Sequence, residues 1–259
     1  DKTKLGTYND LEYIITDSSG NENKKSFTLN IVNKIENNSS YSTPKYLYIN
    51  DILNKYKNDF TSIGIDVSKW QGNVDFKKVK DAGIEFVIMR IGSQRSPSEE
   101  ISMDVKFKEY YKQAKEVGLS IGIYVYNTSI SPEDGIKTAK WVMNELNGDK
   151  LDFPIVFDWE SWSYFNSMEM NLHMLNEMYD AFSDKLQENG YETMLYASEN
   201  YLNNVWMDLK DYTIWIAKYS SKVPQITNGR NQYLLWQNAC TGKIDGVDGD
   251  VDLDIYYNK

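Results

Sequence analysis

From residue 60 onward the chain repeats one pattern. Short apolar runs alternate with longer segments whose apolar positions recur at helical spacing. The runs are 63–67, 86–91, 120–126, 154–159, 192–196, 212–217, 233–237 and 251–255. They are short and rich in β-branched and aromatic residues, which predicts strands. Segments 75–82, 104–117, 132–146 and 168–189 predict helices. Gly83, Gly118 and Gly190 fall just past helix ends, where a left-handed cap is wanted. Ser131-Pro132-Glu133-Asp134 reads as a helix start, with proline first and acids in the first turn. Strand–helix alternation with eight strands predicts an α/β barrel of the (β/α)8 type over residues 60–259. Little between the last three strands looks helical, so the final third is expected to be irregular, with antiparallel pairing.

The first 59 residues read differently. In residues 1–33, Tyr13 and Ile15 alternate with Glu12, Ile14 and Thr16, and Phe27, Leu29 and Ile31 alternate with Thr28 and Asn30. A turn cluster, Asp17-Ser18-Ser19-Gly20-Asn21, separates them, which predicts a β-hairpin. The GTY…DSSGN pattern resembles the last two strands of bacterial surface immunoglobulin-like repeats, so this stretch is expected to be the tail of such a domain. Residues 34–59 are polar and rich in Asn, Lys and Tyr, and read as a linker with a short helix at 48–56. Asn37 and Asn38 begin formal glycosylation sequons, taken as chance occurrences. The chain starts at Asp1 without a methionine and reads as a mature or trimmed fragment.

Composition narrows the partners. A net charge of -10 argues against nucleic acid and against electrostatic capture by an anionic membrane. It does not oppose a neutral glycan. Twenty tyrosines and seven tryptophans exceed what a core alone usually needs, and such rings suit carbohydrate grooves. No apolar run approaches the roughly 18 residues of a membrane span. Cys240 is the single cysteine, so neither an internal disulfide nor a cysteine-based metal site is available. The single histidine, His173, lies in a helical pattern and reads as a surface residue rather than a base. The spacing of Asp248, Asp250, Asp252 and Asp254 lacks the glycine and glutamate that a calcium-binding EF-hand loop requires. No cofactor or metal is expected.

In barrels of this kind, chemistry sits at the C-terminal ends of the strands. Asp66 lies at the end of the first run, Tyr124 and Tyr126 at the third, and Asp158 and Glu160 at the fourth. Tyr196, Trp215 and then Trp236 and Gln237 follow on the next three, and Asp250, Asp252 and Asp254 on the last. Residues two apart in a strand share a face, so Asp158 and Glu160 point one way, about 7 Å apart, and Trp159 the other. Two carboxyls facing one cavity hold protons unequally, which is the arrangement that cleaves glycosidic bonds.

The motifs GIDVSKWQG, YVYN, FPIVFDWE, LYAS, WIAKY, LWQ and VDLD, in this order over about residues 62–257, resemble family 25 glycoside hydrolases, the Chalaropsis-type lysozymes. The resemblance implies a flattened (β/α)5β3 barrel and cleavage of the β-1,4 bond between N-acetylmuramic acid and N-acetylglucosamine. Glu160 then matches the general acid, Asp158 its carboxylate partner, Asp66 the aspartate of the opening motif and Asp252 that of the last strand. Tyr124 matches a tyrosine near the cleavage point and Tyr126 an aromatic where the family varies, with Tyr196, Trp215 and Gln237 as further substrate contacts. Val125 stands where many members carry histidine. A family 18 chitinase is disfavoured, because Phe153 and Val156 occupy positions where that family needs acids. A non-catalytic glycan-binding module is the alternative. The expected setting is a monomer acting on bacterial peptidoglycan, secreted or wall-associated.

Overall fold

The computed structural model describes residues 6–16, 20–31, 46–160, 171–207, 209, 211–227 and 232–257. The chain divides into two compact units, Asp1–Ser42 and Thr43–Lys259. In the first, β1 (Gly6–Thr16) and β2 (Glu22–Ile31) pair antiparallel, from Gly6 opposite Ile31 to Thr16 opposite Glu22. The pairing shifts between Tyr8 and Leu11, where Asp10 takes a positive φ of 57°, as a bulge requires. The turn at 17–19, residues 1–5 and 32–33, the polar stretch 34–45 with its sequons, and the predicted start of a helix at 168–170 lie outside the described residues.

The second unit opens with β3 (Leu47–Tyr48) and α1 (Ile49–Tyr56). Sequence placed both in the linker. Yet β3 pairs with a later strand through Leu47 and Gly242, and α1 buries Ile49 and Ile52. There follow β4 (Thr61–Val67), α2 (Phe76–Asp81), β5 (Phe86–Ser93), β6 (Ser102–Met103), α3 (Phe107–Val117), β7 (Ser120–Asn127) and α4 (Pro132–Leu146). Then come β8 (Ile155–Trp159), α5 (Leu172–Gln187), β9 (Thr193–Ser198), α6 (Glu199–Asn204), β10 (Ile214–Ala217), β11 (Leu235–Lys243) and β12 (Val251–Tyr257). The punctuation residues behave as their chemistry demands. Ser131 accepts a hydrogen bond from the Asp134 N–H at the start of α4, and Gly118 ends α3 with φ 71°.

Eight of these strands close into a barrel in the order β4, β5, β7, β8, β9, β10, β11, β12. Seven run parallel, and β10 pairs with β11 to complete the ring. Only β12 is reversed, antiparallel to β11 and β4 on either side. The antiparallel element expected in the final third is therefore this one strand. Among the described residues no helix is long and apolar enough to cross a membrane.

Strand alternation divides the apolar residues into two cores. Ile63, Ile65, Val87, Met89, Ile121, Ile123, Phe157 and Leu253 face outward into a large cluster with the helices. Phe86, Ile88, Val156, Met194 and Leu235 face inward and fill the barrel's lower interior. The inward residues further along the strands are polar: Asp66 after Gly64, Asp158 after Val156, and Gln237 after Leu235. The barrel thus has an apolar plug below and a polar cavity above.

Candidate active site

The cavity encloses about 160 Å³ and is lined by Asp66, Tyr124, Asp158, Glu160, Tyr196, Trp215, Tyr219, Gln237 and Asp252. Strands β4, β7, β8, β9, β10, β11 and β12 each contribute, as convergence at a barrel mouth requires. Asp158 is buried at the end of β8, where its carbonyl accepts from the Asn127 amide at 3.1 Å. Trp159, 2% exposed, turns the other way and donates its indole N–H to the Ser129 carbonyl at 2.9 Å. Packing that indole outward holds both flanking acids toward the cavity. Glu160 follows the strand and is exposed at the mouth.

Opposite the acid pair lies a fixed hydrogen-bond chain. Gln237 donates its amide N–H to Asp66 at 2.7 Å. The Gln237 oxygen accepts the hydroxyls of Tyr196 at 2.8 Å and Tyr219 at 2.9 Å. Two phenolic donors on one oxygen leave the amide a single orientation. Burial raises the phenols of Tyr124 and Tyr196 well above their usual value, helped by Asp66 for Tyr124 and by Tyr219 and then the carboxylates for Tyr196, so both remain neutral donors.

The carboxyls also hold their protons tightly. Burial raises Asp158 well above the usual carboxylate range, and the charges of Glu160 and Asp66 add to it. Burial raises Glu160 as well, though to a lesser degree at the mouth. Asp252 is pushed up to about 9, first by burial and then by the charge of Asp66. Arg90 counters this for Asp158. Its guanidinium is anchored by Asp104, which also accepts the backbone N–H groups of Lys69 and Lys106. A cluster of interacting acids at the mouth of a barrel is the environment in which one carboxyl donates a proton while its neighbour stays charged.

Eight of the nine residues given a site role from the sequence line the cavity: Asp66, Tyr124, Asp158, Glu160, Tyr196, Trp215, Gln237 and Asp252. Tyr126 does not; it lies half-buried beyond Tyr124 on the same face, paired in register with Asp158. Trp236 faces the outer core, and its indole N–H donates to the Lys218 carbonyl. Asp250 is exposed and pairs with Lys243 at 2.6 Å. Sequence reasoning missed Tyr219, which lies past the end of β10, and Arg90. The signal for Arg90 was its parity with Phe86 and Ile88. Among the described residues no group of three or more His, Cys, Asp or Glu side chains is placed to hold a metal ion.

Comparison with known proteins agrees with this geometry. A 192-residue stretch is 29% identical to the autolytic lysozyme of Clostridium acetobutylicum, covering 74% of this chain and 54% of that protein. The chain thus spans about half the length of that relative. The spore cortex lytic enzyme SleM of Clostridium perfringens superposes with a TM-score of 0.69 at 23% identity, over 78% of this chain and 69% of the other. The bacterial lysozyme of Streptomyces coelicolor gives 0.65 at 22% identity, over 78% and 94%. The family model for glycosyl hydrolases family 25 matches residues 65–247. With the match spanning most of the barrel, Asp66, Asp158 and Glu160 included, the chain belongs to glycosyl hydrolases family 25.

Proposed function

We propose that the barrel is a peptidoglycan hydrolase that cleaves the β-1,4 bond between N-acetylmuramic acid and N-acetylglucosamine. The observation that carries this reading is the acid pair on β8: Asp158 enclosed and Glu160 at the mouth, both turned inward by the outward packing of Trp159. Glu160 is the general acid. It gives its proton to the glycosidic oxygen as the bond from the muramic C1 breaks. Asp158 assists at C1, either by orienting the muramic 2-acetamido oxygen for attack or by activating a water. The anomer formed first separates these routes. The neutral tyrosines supply hydrogen-bond donors to sugar hydroxyls, and Trp215 an aromatic edge.

The lysozyme and spore-cortex names of the relatives support this substrate class. The barrel is read as the (β/α)5β3 variant, residues 1–33 as the tail of an immunoglobulin-like repeat, and the protein as a monomer at the wall of a bacterium. The test is digestion of purified peptidoglycan by wild type and Glu160→Gln, with products reduced by borohydride and identified by mass spectrometry. Reduced muramic acid ends from wild type alone are expected. Reduced glucosamine ends would overturn the bond assignment. If nothing were released while both proteins pelleted with the wall, a glycan-binding module would replace the enzyme.

A further inference from the structure

The acid furthest from solvent is not one that lines the cavity. Asp254 is 0% exposed. Because β12 is reversed, Asp254 lies one step deeper than Asp252: Asp252 pairs with Asp66, and Asp254 pairs with Gly64 on one side and Gln237 on the other. Its Oδ1 accepts the Trp215 indole N–H at 3.0 Å. Its Oδ2 is buried and meets no N–H or hydroxyl donor. Asp66 is the next inward residue of β4 after Gly64, diagonal to Asp254 across the same strand pair, and the two carboxyls act on each other. One Asp66 oxygen is already taken by Gln237. Two ionised carboxylates do not face each other in a buried site, whereas a proton between them turns repulsion into a hydrogen bond.

We propose that Asp254 is a positioning residue for Asp66: the two carboxyls hold one proton between them beneath the cavity, and Trp215 anchors the pair. One Asp66 oxygen is held by Gln237 and one Asp254 oxygen by Trp215, which leaves one oxygen on each carboxyl for the proton between them. Burial raises both acids, but their mutual hydrogen bond raises Asp66 further and lowers Asp254. The surrounding charges favour keeping the proton. Asp252 on the same strand acts on Asp254, and Glu160 beyond β8 acts on Asp66. The phenols of Tyr124 and Tyr196 remain neutral, while Arg90 directs its charge to Asp158 and Tyr124. With Gln237 on one side and Asp254 on the other, the Asp66 carboxyl has one rotamer. As a statement about catalysis this rests on the hydrolase reading; as a statement about a shared proton it does not.

Two variants separate the roles. In Asp254→Asn the amide oxygen still accepts from Trp215 and the amide N–H donates to an ionised Asp66. Asp254→Leu keeps the volume and does neither. Carboxyl-carbon NMR titration of 13C-aspartate-labelled protein should show Asp66 releasing its proton at lower pH in Asp254→Asn, since a charge is removed and a donor gained. On peptidoglycan, kcat should fall about tenfold further in Asp254→Leu than in Asp254→Asn, the worth of one hydrogen bond to a charged group, with KM alike. An unchanged Asp66 titration in Asp254→Asn, or equal kcat in the two variants, would overturn the proposal. An inactive wild type would sink the hydrolase reading, while the titration would still decide the shared proton.

Discussion

Arg90 and Asp104 lie 2.5 Å apart, guanidinium nitrogen to carboxylate oxygen, with side chains only 10% and 1% exposed. The pair does more than neutralise itself. Asp104 also receives the backbone N–H of Lys69 after β4 and of Lys106 before α3, so one carboxylate ties two barrel loops to β5. Removing one partner of a buried pair leaves the other charge uncompensated. Arg90→Met is therefore expected to cost about 3–5 kcal/mol in urea unfolding. A loss below about 1 kcal/mol, the range of exposed pairs, would show that water reaches Asp104.

Stability should depend on pH through Asp252. Its folded carboxyl is pushed up to about 9 from the ordinary 3.8, so between those values the native state binds a proton that the unfolded chain has released. Stability from this group is full below the unfolded value and is lost as pH rises through the folded one. Unfolding free energies from urea titrations should fall from about pH 5 to about pH 9, and the slope should flatten in Asp252→Asn. A slope unchanged by the substitution would assign the loss to other acids.

The pH dependence of cleavage should report the acid pair. A general acid must carry its proton, and burial raises Glu160, so kcat/KM should fall on the alkaline side above the ordinary glutamate range. The charge of Glu160 raises Asp158, and the same repulsion acts in return on Glu160. In Asp158→Asn that repulsion is gone, so whatever activity remains should lose its alkaline limb at lower pH. An alkaline limb that stayed in place would mean another group controls it.

Gly135 tests the outer layer. A Cβ there would lie 2.4 Å from the backbone oxygen of Met178 in the facing helix α5. Replacing a helical glycine by alanine normally gains about 1 kcal/mol of helix propensity. Here the obstacle is backbone, which cannot swing aside, and overpacking costs about 1–3 kcal/mol. Gly135→Ala should therefore lower the melting temperature despite its better propensity. A rise would mean the two helices can separate without loss.

Much of this site was legible because strands write their faces into parity. Asp158 and Glu160 two apart, with Trp159 between, announced their direction, and the glycines at 83 and 118 announced where helices stop. Arg90 was overlooked although its parity with Phe86 and Ile88 aimed it inward, because a cation inside an apolar run looks like a solvent contact until its partner is known. That partner, Asp104, is 14 residues away at the start of the predicted helix 104–117, where an acid reads as ordinary helix-start chemistry. Tyr219 follows its strand, where parity no longer applies. The short helix α6 was missed because ENYLNN buries only Leu202 and so shows no period. Residues 47–56 read as linker because their two apolar anchors, Ile49 and Ile52, are diluted among polar neighbours. The depth of Asp254 needed the direction of β12: parity placed it with Asp252, but only strand reversal puts the later residue further in.

That same reversal settles where the barrel's own start and finish lie. Thr61, the first residue of β4, is the register partner of Tyr257, the last of β12. Both lie at the pole opposite the cavity, because β4 climbs toward the mouth and β12 descends from it. Polypeptide therefore enters and leaves the barrel side by side, at the end furthest from the acids. Only the connection after β12 is free to be lengthened there, because α1 buries Ile49 and Ile52 before β4 begins and β3 brings the chain in beside Gly242.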